Sequence, residues 1–551
     1  MSVDTRKRET VFPVRIVKTF GNVKNAEALL KAQPLQITTN EPDCATLTKE
    51  VSEQTGVLVD FGREIHGSAR VLCFINFDTK TGAALAEHPT VRVSCGESAS
   101  EALGAVGVKG STNDHAVRDY SFPMPSYCDM TLFETGFRFV FFELLTPGVT
   151  MLLRSVAAVS VMRDIPYIGS FRSSNDILNK IFDVSAYTCH LCMQDYIWDG
   201  IKRDRLVWVG DMHPEMLTVR TVFGQNEVLE NSLRFTRDST PLPGWMNGFP
   251  TYSLWWLKIL HDWYFYTGDL EFLDEFREYA LGLITQVCDH VNDDGTDTLP
   301  AYFLDWPCHE LPEEISGSRA VLAWALEAGE NLCRVFEDEA AAQRCNKKRS
   351  ALLSCKAETY GAKQVAAILS LAGWMDEKAA AKEILNGGAR GFSTFMSYYL
   401  LSAAARGDMS ATLAALCEYY GGMLSMGATT FWEDFSLEWM KNASPIDELV
   451  PEGKSDIHGD NGAFCYKGFR HSFCHGWSSG PTAFLCENVL GIKILEAGCK
   501  KIAIRPDLGD LLWAEGTFPT PMGVLSVSHK RLPDGSIKTA YSAPDGVEIV
   551  E

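Results

Sequence analysis

Positive charge is what this chain has too little of. Its 50 Lys and Arg stand against 71 Asp and Glu, a formal net charge of −21 at neutral pH. That balance argues against a phosphodiester backbone or an anionic membrane surface as partner, and is silent about a neutral ligand. Long apolar runs are missing too: no stretch approaches the roughly 18 residues that cross a bilayer. Met1-Ser-Val-Asp-Thr-Arg-Lys-Arg leads into no apolar segment like a signal peptide, so the expectation is a soluble, cytoplasmic protein with no membrane partner. The sixteen Cys follow no framework spacing, and several (Cys288, Cys333, Cys417) sit in apolar helical runs, as reduced core thiols do. Cys189-His-Leu-Cys192 has a zinc-like spacing but no second pair near it, so no metal site is expected. A phosphate loop, a dinucleotide fingerprint and a Gly-x-Ser-x-Gly elbow are all absent, which leaves nucleotide-dependent and serine-hydrolase chemistry without apparatus.

What is present is a large globular chain: 551 residues, 46% hydrophobic and 22% charged, enough for two to four domains. Residues 11 to about 165 read as β. Short runs such as Val57–Phe61, Arg70–Ile75, Val91–Ser94, Phe137–Phe142 and Ser155–Val161 are rich in Val and Phe and separated by Gly, Pro and Asp, which predicts an antiparallel β-sandwich. The texture changes at Gly169–Asp176, where Ser173 or Ser174 is the expected helix cap, and a period near 3.6 follows through Ile177, Ile181, Val184 and Tyr187. Helical segments then recur to about residue 491, at 177–192, 212–223, 253–266, 270–292, 315–336, 376–386, 394–405, 410–420 and 477–490. Ten to twelve helices predict an (α/α)6 toroid of helical hairpins rather than a fixed-period solenoid. The last sixty or so residues return to β, with strands expected at 501–504, 523–528, 537–541 and 546–550 in a small C-terminal β-sandwich. The expected domains are therefore 1–165, 166–491 and 492–551.

The densest chemistry lies in Asp199-Gly-Ile-Lys-Arg-Asp-Arg-Leu-Val-Trp-Val-Gly-Asp211. Gly200 breaks the helical pattern, so Asp199, Arg203, Asp204, Arg205, Trp208 and Asp211 fall on a loop. Carboxylates and guanidinium suit sugar hydroxyls, the indole suits the CH face of a sugar ring, and a carboxyl crowded by charges can be tuned to donate a proton. A loop stapled by ion pairs is the plainer alternative. A second cluster places Glu433 beside Trp432, where an indole can perturb a carboxyl; a helix-dipole acid is the plainer reading there. A third, His471–Gly480, sets His475 and Trp477 between Gly476 and Gly480, which permit close approach to a ligand. Trp255-Trp256 with His261-Asp-Trp263, Leu304-Asp-Trp306-Pro307 and Asp456–Asp460 add aromatic and acidic residues for a ring of loops around a sugar cleft, although core packing explains any one of them.

From about residue 55 onward, these segments in order resemble the inverting α-L-rhamnosidases of glycoside hydrolase family 78. Asp199, Asp204 and Asp211 have the spacing of that family's acidic motif. Ala428–Glu433 resembles its Thr-Thr-x-Trp-Glu motif, and Ser472-Phe-Cys-His475 its Ser-Phe-Asn-His motif. Ile504-Arg-Pro-Asp507 and Pro519–Gly523 are similar to its C-terminal sandwich, and Val59–Glu64 with Cys95-Gly-Glu-Ser98 to the β domain before the toroid. The resemblance implies Glu433 as general base and Asp204 at the position of the general acid. Asp199 and Asp211 would hold rhamnose hydroxyls, with Trp208 and His475 lining the pocket; Arg203, Trp306, Trp432 and Trp477 complete the expected binding set. Ile201 stands where the family has Pro, Val207 where it has Gly, and Asp204 where it often has Glu, which leaves Asp199, Asp211 and Glu215 as other candidates for the acid. The expected partner is a small rhamnosyl oligosaccharide or glycoside, with no cofactor and no nucleic acid. The alternatives are a toroidal glycosidase or lyase for another deoxysugar or uronic acid, and an inactive sugar-binding protein. Nothing in the sequence speaks to oligomeric state.

Overall fold

The structure, a computed structural model, describes residue 4 and residues 6–32 and 34–550. Nine strands of the N-terminal part form one hydrogen-bonded sheet built around three long strands, Gly56–Asp78, Cys128–Leu144 and Val149–Arg163. Gly56–Asp78 pairs with Cys128–Leu144 over most of its length. Its other edge is taken by Arg15–Phe20 at the start and by Val149–Arg163 from Gly67 onward. Successive side chains on a strand face opposite ways, and the packing follows that rule. Val57, Val59, Val140 and Phe142 join one apolar core, whereas Leu58, Phe139 and Phe141 join another that also takes Ala99, Ala102 and, from far along the chain, Leu449. Both faces of the sheet are thus buried, one of them partly under the helical region.

Thirteen α-helices lie between Asp176 and Phe484, two of them of five residues or fewer. The first, Asp176–Cys192, is capped not by Ser173 or Ser174 but by Asn175, whose side chain accepts from Ile177 N and Leu178 N. Ser173 instead ends the strand Ser170–Ser173. The segment expected as one helix over 270–292 is two, Leu270–Asp274 and Arg277–Asp289. Helices Glu227–Ser239, Glu339–Leu353 and Lys363–Leu371 were not anticipated, although the first two start at Asn226 and Asp338 caps. Trp255, Trp256 and Trp263, all on the helix Pro250–Thr267, are fully buried in the helical core. Burial of side chains that large contributes about 2–3 kcal/mol each.

The strand Ser170–Ser173 pairs with Trp513–Thr520, which continues through Gly523–Arg531 to Ile537–Ser542 as a four-stranded antiparallel sheet. A three-stranded sheet joins Ile492–Glu496, Lys501–Ile504 and Glu548–Val550. Among the described residues no helix is long and apolar enough to cross a membrane. None of the sixteen cysteines is in a disulfide.

Candidate active site

The segment between the helices Asp176–Cys192 and Val209–Thr218 folds back on itself because one side chain replaces a turn's missing hydrogen bonds. Asp199 accepts from Asp204 N (2.9 Å) and Leu206 N (3.0 Å), which draws residues 199–206 into a tight loop. Gly476 N donates to Asp199 O (2.7 Å) and Gly200 bridges to His475, so this loop is zipped to a second one. Gly476 has to be glycine, because a Cβ there would fall 1.6 Å from Glu215 Oε1.

Arg203 is the centre of the arrangement. One nitrogen, Nη2, donates to both oxygens of Glu433 (2.7 and 2.8 Å); Nη1 donates to Asp204 Oδ1 (3.0 Å), and Nε to Arg470 O (3.0 Å). Ser472 N also donates to Glu433 Oε2 (3.0 Å), and the Glu433 backbone is fixed by Ser472, Thr394 and Trp477. Burial alone would raise the Glu433 carboxyl, but Arg203, His475 and His471 outweigh it and hold it at about 2. Glu433 is therefore ionised throughout the working range of pH. Asp204 Oδ2 accepts from Trp208 Nε1 (3.2 Å), and Oδ1 also faces His115 Nε2 at 3.3 Å. On the opposite wall His475 Nε2 meets Asp211 Oδ1 at 2.9 Å. Burial disfavours the imidazolium, but Asp211, Glu433 and Asp199 overrule it and raise His475 to about 9. Burial pushes Asp199 up to about 7 against the pull of His475, and Asp211 also upward.

These groups open into one cavity of about 300 Å³ lined by Asp199, Arg203, Asp204, Trp208, Asp211, Trp306, Glu433, His475 and Trp477. Among the expected site residues Trp432 alone does not line it. Its ring is fully buried, stacked 4.1 Å from Phe473, and in a non-helical segment the neighbour of a pocket-facing Glu433 is sent to the other side. Glu215 is likewise shut away: both carboxyl oxygens are buried without a hydrogen-bond partner, and burial raises it well above the usual range. Six lining residues were not anticipated: His115, Phe249, Tyr252, Phe303, Cys465 and Arg470. Phe249 and Tyr252 flank the start of a helix whose Trp pair drew attention first, and an aromatic count over 245–256 would have found them. His115, from the N-terminal sheet region, carries no local signal.

The arrangement offers one permanently ionised carboxylate, a second carboxylate open to the cavity, an imidazolium–carboxylate pair and an aromatic wall. Such a set can orient a polar ring, take a proton from water and pass one to a leaving oxygen.

Residues 166–489 match the family model of the bacterial alpha-L-rhamnosidase six-hairpin glycosidase domain, and residues 491–550 that of the bacterial alpha-L-rhamnosidase C-terminal domain. No curated protein sequence matches the chain. Among solved structures, the fold is similar to a GH78 family rhamnosidase of Bacillus sp. GL1 (22% identity, TM-score 0.75), over 95% of this chain and 55% of that one. The chain thus spans about half the length of that relative. It is also similar to a rhamnosidase from Klebsiella oxytoca with rhamnose bound (18%, TM-score 0.65), over 88% and 96% of the two chains. A Streptomyces avermitilis alpha-L-rhamnosidase complexed with L-rhamnose (16%, TM-score 0.65) matches over 90% of this chain and 48% of the other.

Proposed function

The chain belongs to the bacterial alpha-L-rhamnosidase six-hairpin glycosidase family, and from that premise we propose that it is an exo-acting, inverting glycosidase that removes terminal α-L-rhamnose from an oligosaccharide or glycoside. The observation that carries this reading is the pair of carboxylates held by one guanidinium. Arg203 keeps Glu433 ionised, as a base must be, and orients Asp204 at the cavity wall. Asp204 would protonate the glycosidic oxygen while Glu433 takes a proton from the attacking water, with single displacement at the anomeric carbon. Asp199 and Asp211 would bind hydroxyls and stabilise the oxocarbenium-like transition state, with His475⁺ setting the orientation of Asp211. A cavity of about 300 Å³ walled by Trp208, Trp306 and Trp477 favours one terminal ring over an internal stretch of polymer. The helical hairpins are read as an (α/α)6 toroid between two β-sandwich domains divided near 165 and 491, with Ser170–Ser173 reaching across to the C-terminal sheet. Sixteen unpaired thiols fit a reducing, cytoplasmic setting.

A second reading, a binding protein that keeps the pocket without turnover, draws on the engagement of both Asp204 oxygens, Oδ1 by Arg203 and Oδ2 by Trp208, with His115 3.3 Å from Oδ1. Hydrolysis of an aryl α-L-rhamnoside, with the product anomer read by NMR, separates the two. Release of the inverted β-anomer, lost in Glu433→Gln, is the expected result. Binding of rhamnose without turnover in the wild type would leave the binding protein.

A further inference from the structure

An inverting acid loses one proton per turnover and has to be recharged, and Asp204, itself 19% exposed, has a neighbour through which that proton can also come. Arg203 and Trp208, two of its donors, cannot give up their protons near neutral pH. The third neighbour can. His115 reaches Asp204 Oδ1 through Nε2 at 3.3 Å, and its side chain is 27% exposed, so one imidazole touches both the carboxylate and solvent. Its placement is built. Asn113 Oδ1 accepts from Arg118 N and Asp119 N to close the loop, His115 takes the left-handed conformation (φ 62°), and Asp114 pairs with Arg470, whose carbonyl is the acceptor of Arg203 Nε. The charged groups facing the imidazole are Asp204 at 3.3 Å and Asp114 at 3.7 Å on its own loop, each with its arginine, Arg203 and Arg470, behind it.

We propose that His115 is the proton-handling partner of Asp204 and acts through it; this rests on the rhamnosidase reading with Asp204 as acid. The imidazolium passes its Nε2 proton to Asp204 Oδ1 and becomes neutral. Asp204 passes a proton to the glycosidic oxygen as the anomeric C–O bond breaks. Water forms the new C–O bond and yields its proton to Glu433, which returns it to solvent, while the imidazole regains one from solvent. The net change is hydrolysis alone. A histidine suits the step because an imidazole can take up a proton on one ring nitrogen and release one from the other, and its recruitment from the N-terminal sheet region makes that region part of the acid machinery.

The test compares wild type, His115→Gln and His115→Ala on an alkyl and a nitrophenyl α-L-rhamnoside, because only the poor leaving group needs full protonation. The alkyl rate is expected to fall about 10- to 100-fold and the nitrophenyl rate less than about 3-fold. The basic limb of the alkyl pH–rate profile should move in both variants, and added imidazole should restore the alkyl rate of His115→Ala. Equal losses on both substrates, no loss on either, or an unmoved basic limb with no rescue would each overturn the proposal. If the wild type hydrolyses neither substrate, the rhamnosidase reading falls and takes this one with it. If the wild type hydrolyses both and the variants treat them alike, only the role of His115 falls.

Discussion

Lys202 and Arg203 are neighbours in sequence, and each carries two carboxylates, yet they serve opposite ends. The Lys202 ammonium points into the junction between the N-terminal sheet and the helical region. There it meets Glu97 Oε2 (2.8 Å), Glu101 Oε1 (3.2 Å) and the carbonyls of Phe469 (3.0 Å) and His471 (2.6 Å). Glu97, Glu101 and His458 converge closely enough to hold a metal ion, and the lysine supplies the positive charge to that cluster. Lys202 is buried, and these oxygens take up its ammonium. Arg203 spends the same charge on Glu433 and Asp204, but its cluster opens into a 300 Å³ cavity where oxygens remain for a ligand. The type of ion pair does not distinguish a staple from a site; access to a cavity does.

Substituting the two neighbours alike should separate the roles. Arg203→Met is expected to lower kcat/KM on an aryl rhamnoside about 10²- to 10⁴-fold, the larger effect. It should also move the acidic limb of the pH–rate profile upward, because burial of Glu433 would no longer be overruled by the guanidinium that holds it at about 2. Lys202→Met leaves Glu97 buried without its cation and Glu101 with Arg118 alone, at 3.9 Å. It should cost about 3–5 kcal/mol of stability in denaturant unfolding, with the folded fraction keeping much of its activity. Wild-type stability in Lys202→Met, or wild-type kinetics in Arg203→Met, would break the comparison.

A smaller effect distinguishes the clusters by pH. His475 is raised to about 9 by Asp211 and its acidic neighbours. The stability it contributes is complete below about pH 6.5, the ordinary imidazole value, and is lost as pH climbs through 9. Asp199, raised to about 7, loses its contribution between about pH 4 and 7, and Glu97, also raised to about 7, does so in nearly the same window. Above pH 7.5 His475 adds its decline to that of Glu64 and Glu215, both raised well above the usual range by burial. Melting temperatures between pH 7.5 and 9.5 should fall in the wild type, and the fall should be smaller by the equivalent of about 1–3 kcal/mol in His475→Asn. A wild-type slope retained in that variant would move its origin away from the pocket.

The parts of the molecule that could be read in the sequence are those whose cause is local. The Val- and Phe-rich runs at 57–61 and 137–142 become strands because alternate residues face two cores. Asp199, Arg203 and Asp204 share a site because one short loop carries them, Asp211 follows in the first turn of the helix Val209–Thr218 rather than on the loop as expected, and Glu433 and His475 stand in compact motifs of their own. His115 and Arg470 escaped because they lie hundreds of residues apart and are joined only when the sheet docks on the helical region. Asn175 as cap, rather than the serines before it, depended on where the strand Ser170–Ser173 ended. Trp432 misled because adjacency to Glu433 says nothing about direction outside a helix.

That last contrast supplies the mildest test. Trp208 and Trp432 each neighbour the proposed chemistry, one in the cavity wall and one behind it. Trp208→Phe keeps an aromatic face beside Tyr252 but removes the Nε1 donor that lies 3.2 Å from Asp204 Oδ2. One hydrogen bond of about 1 kcal/mol corresponds to roughly a five-fold fall in kcat on an alkyl rhamnoside, with the melting temperature nearly unchanged. Trp432→Phe removes part of a ring stacked on Phe473 in a fully buried position. It should lower stability by about 1–2 kcal/mol while kcat and KM of the folded enzyme hold. Were Trp432→Phe to change KM and Trp208→Phe only the melting temperature, the wall of the pocket would have to be redrawn through the Trp432–Phe473 stack. The role assigned to Asp204 would then lose its nearest neutral donor.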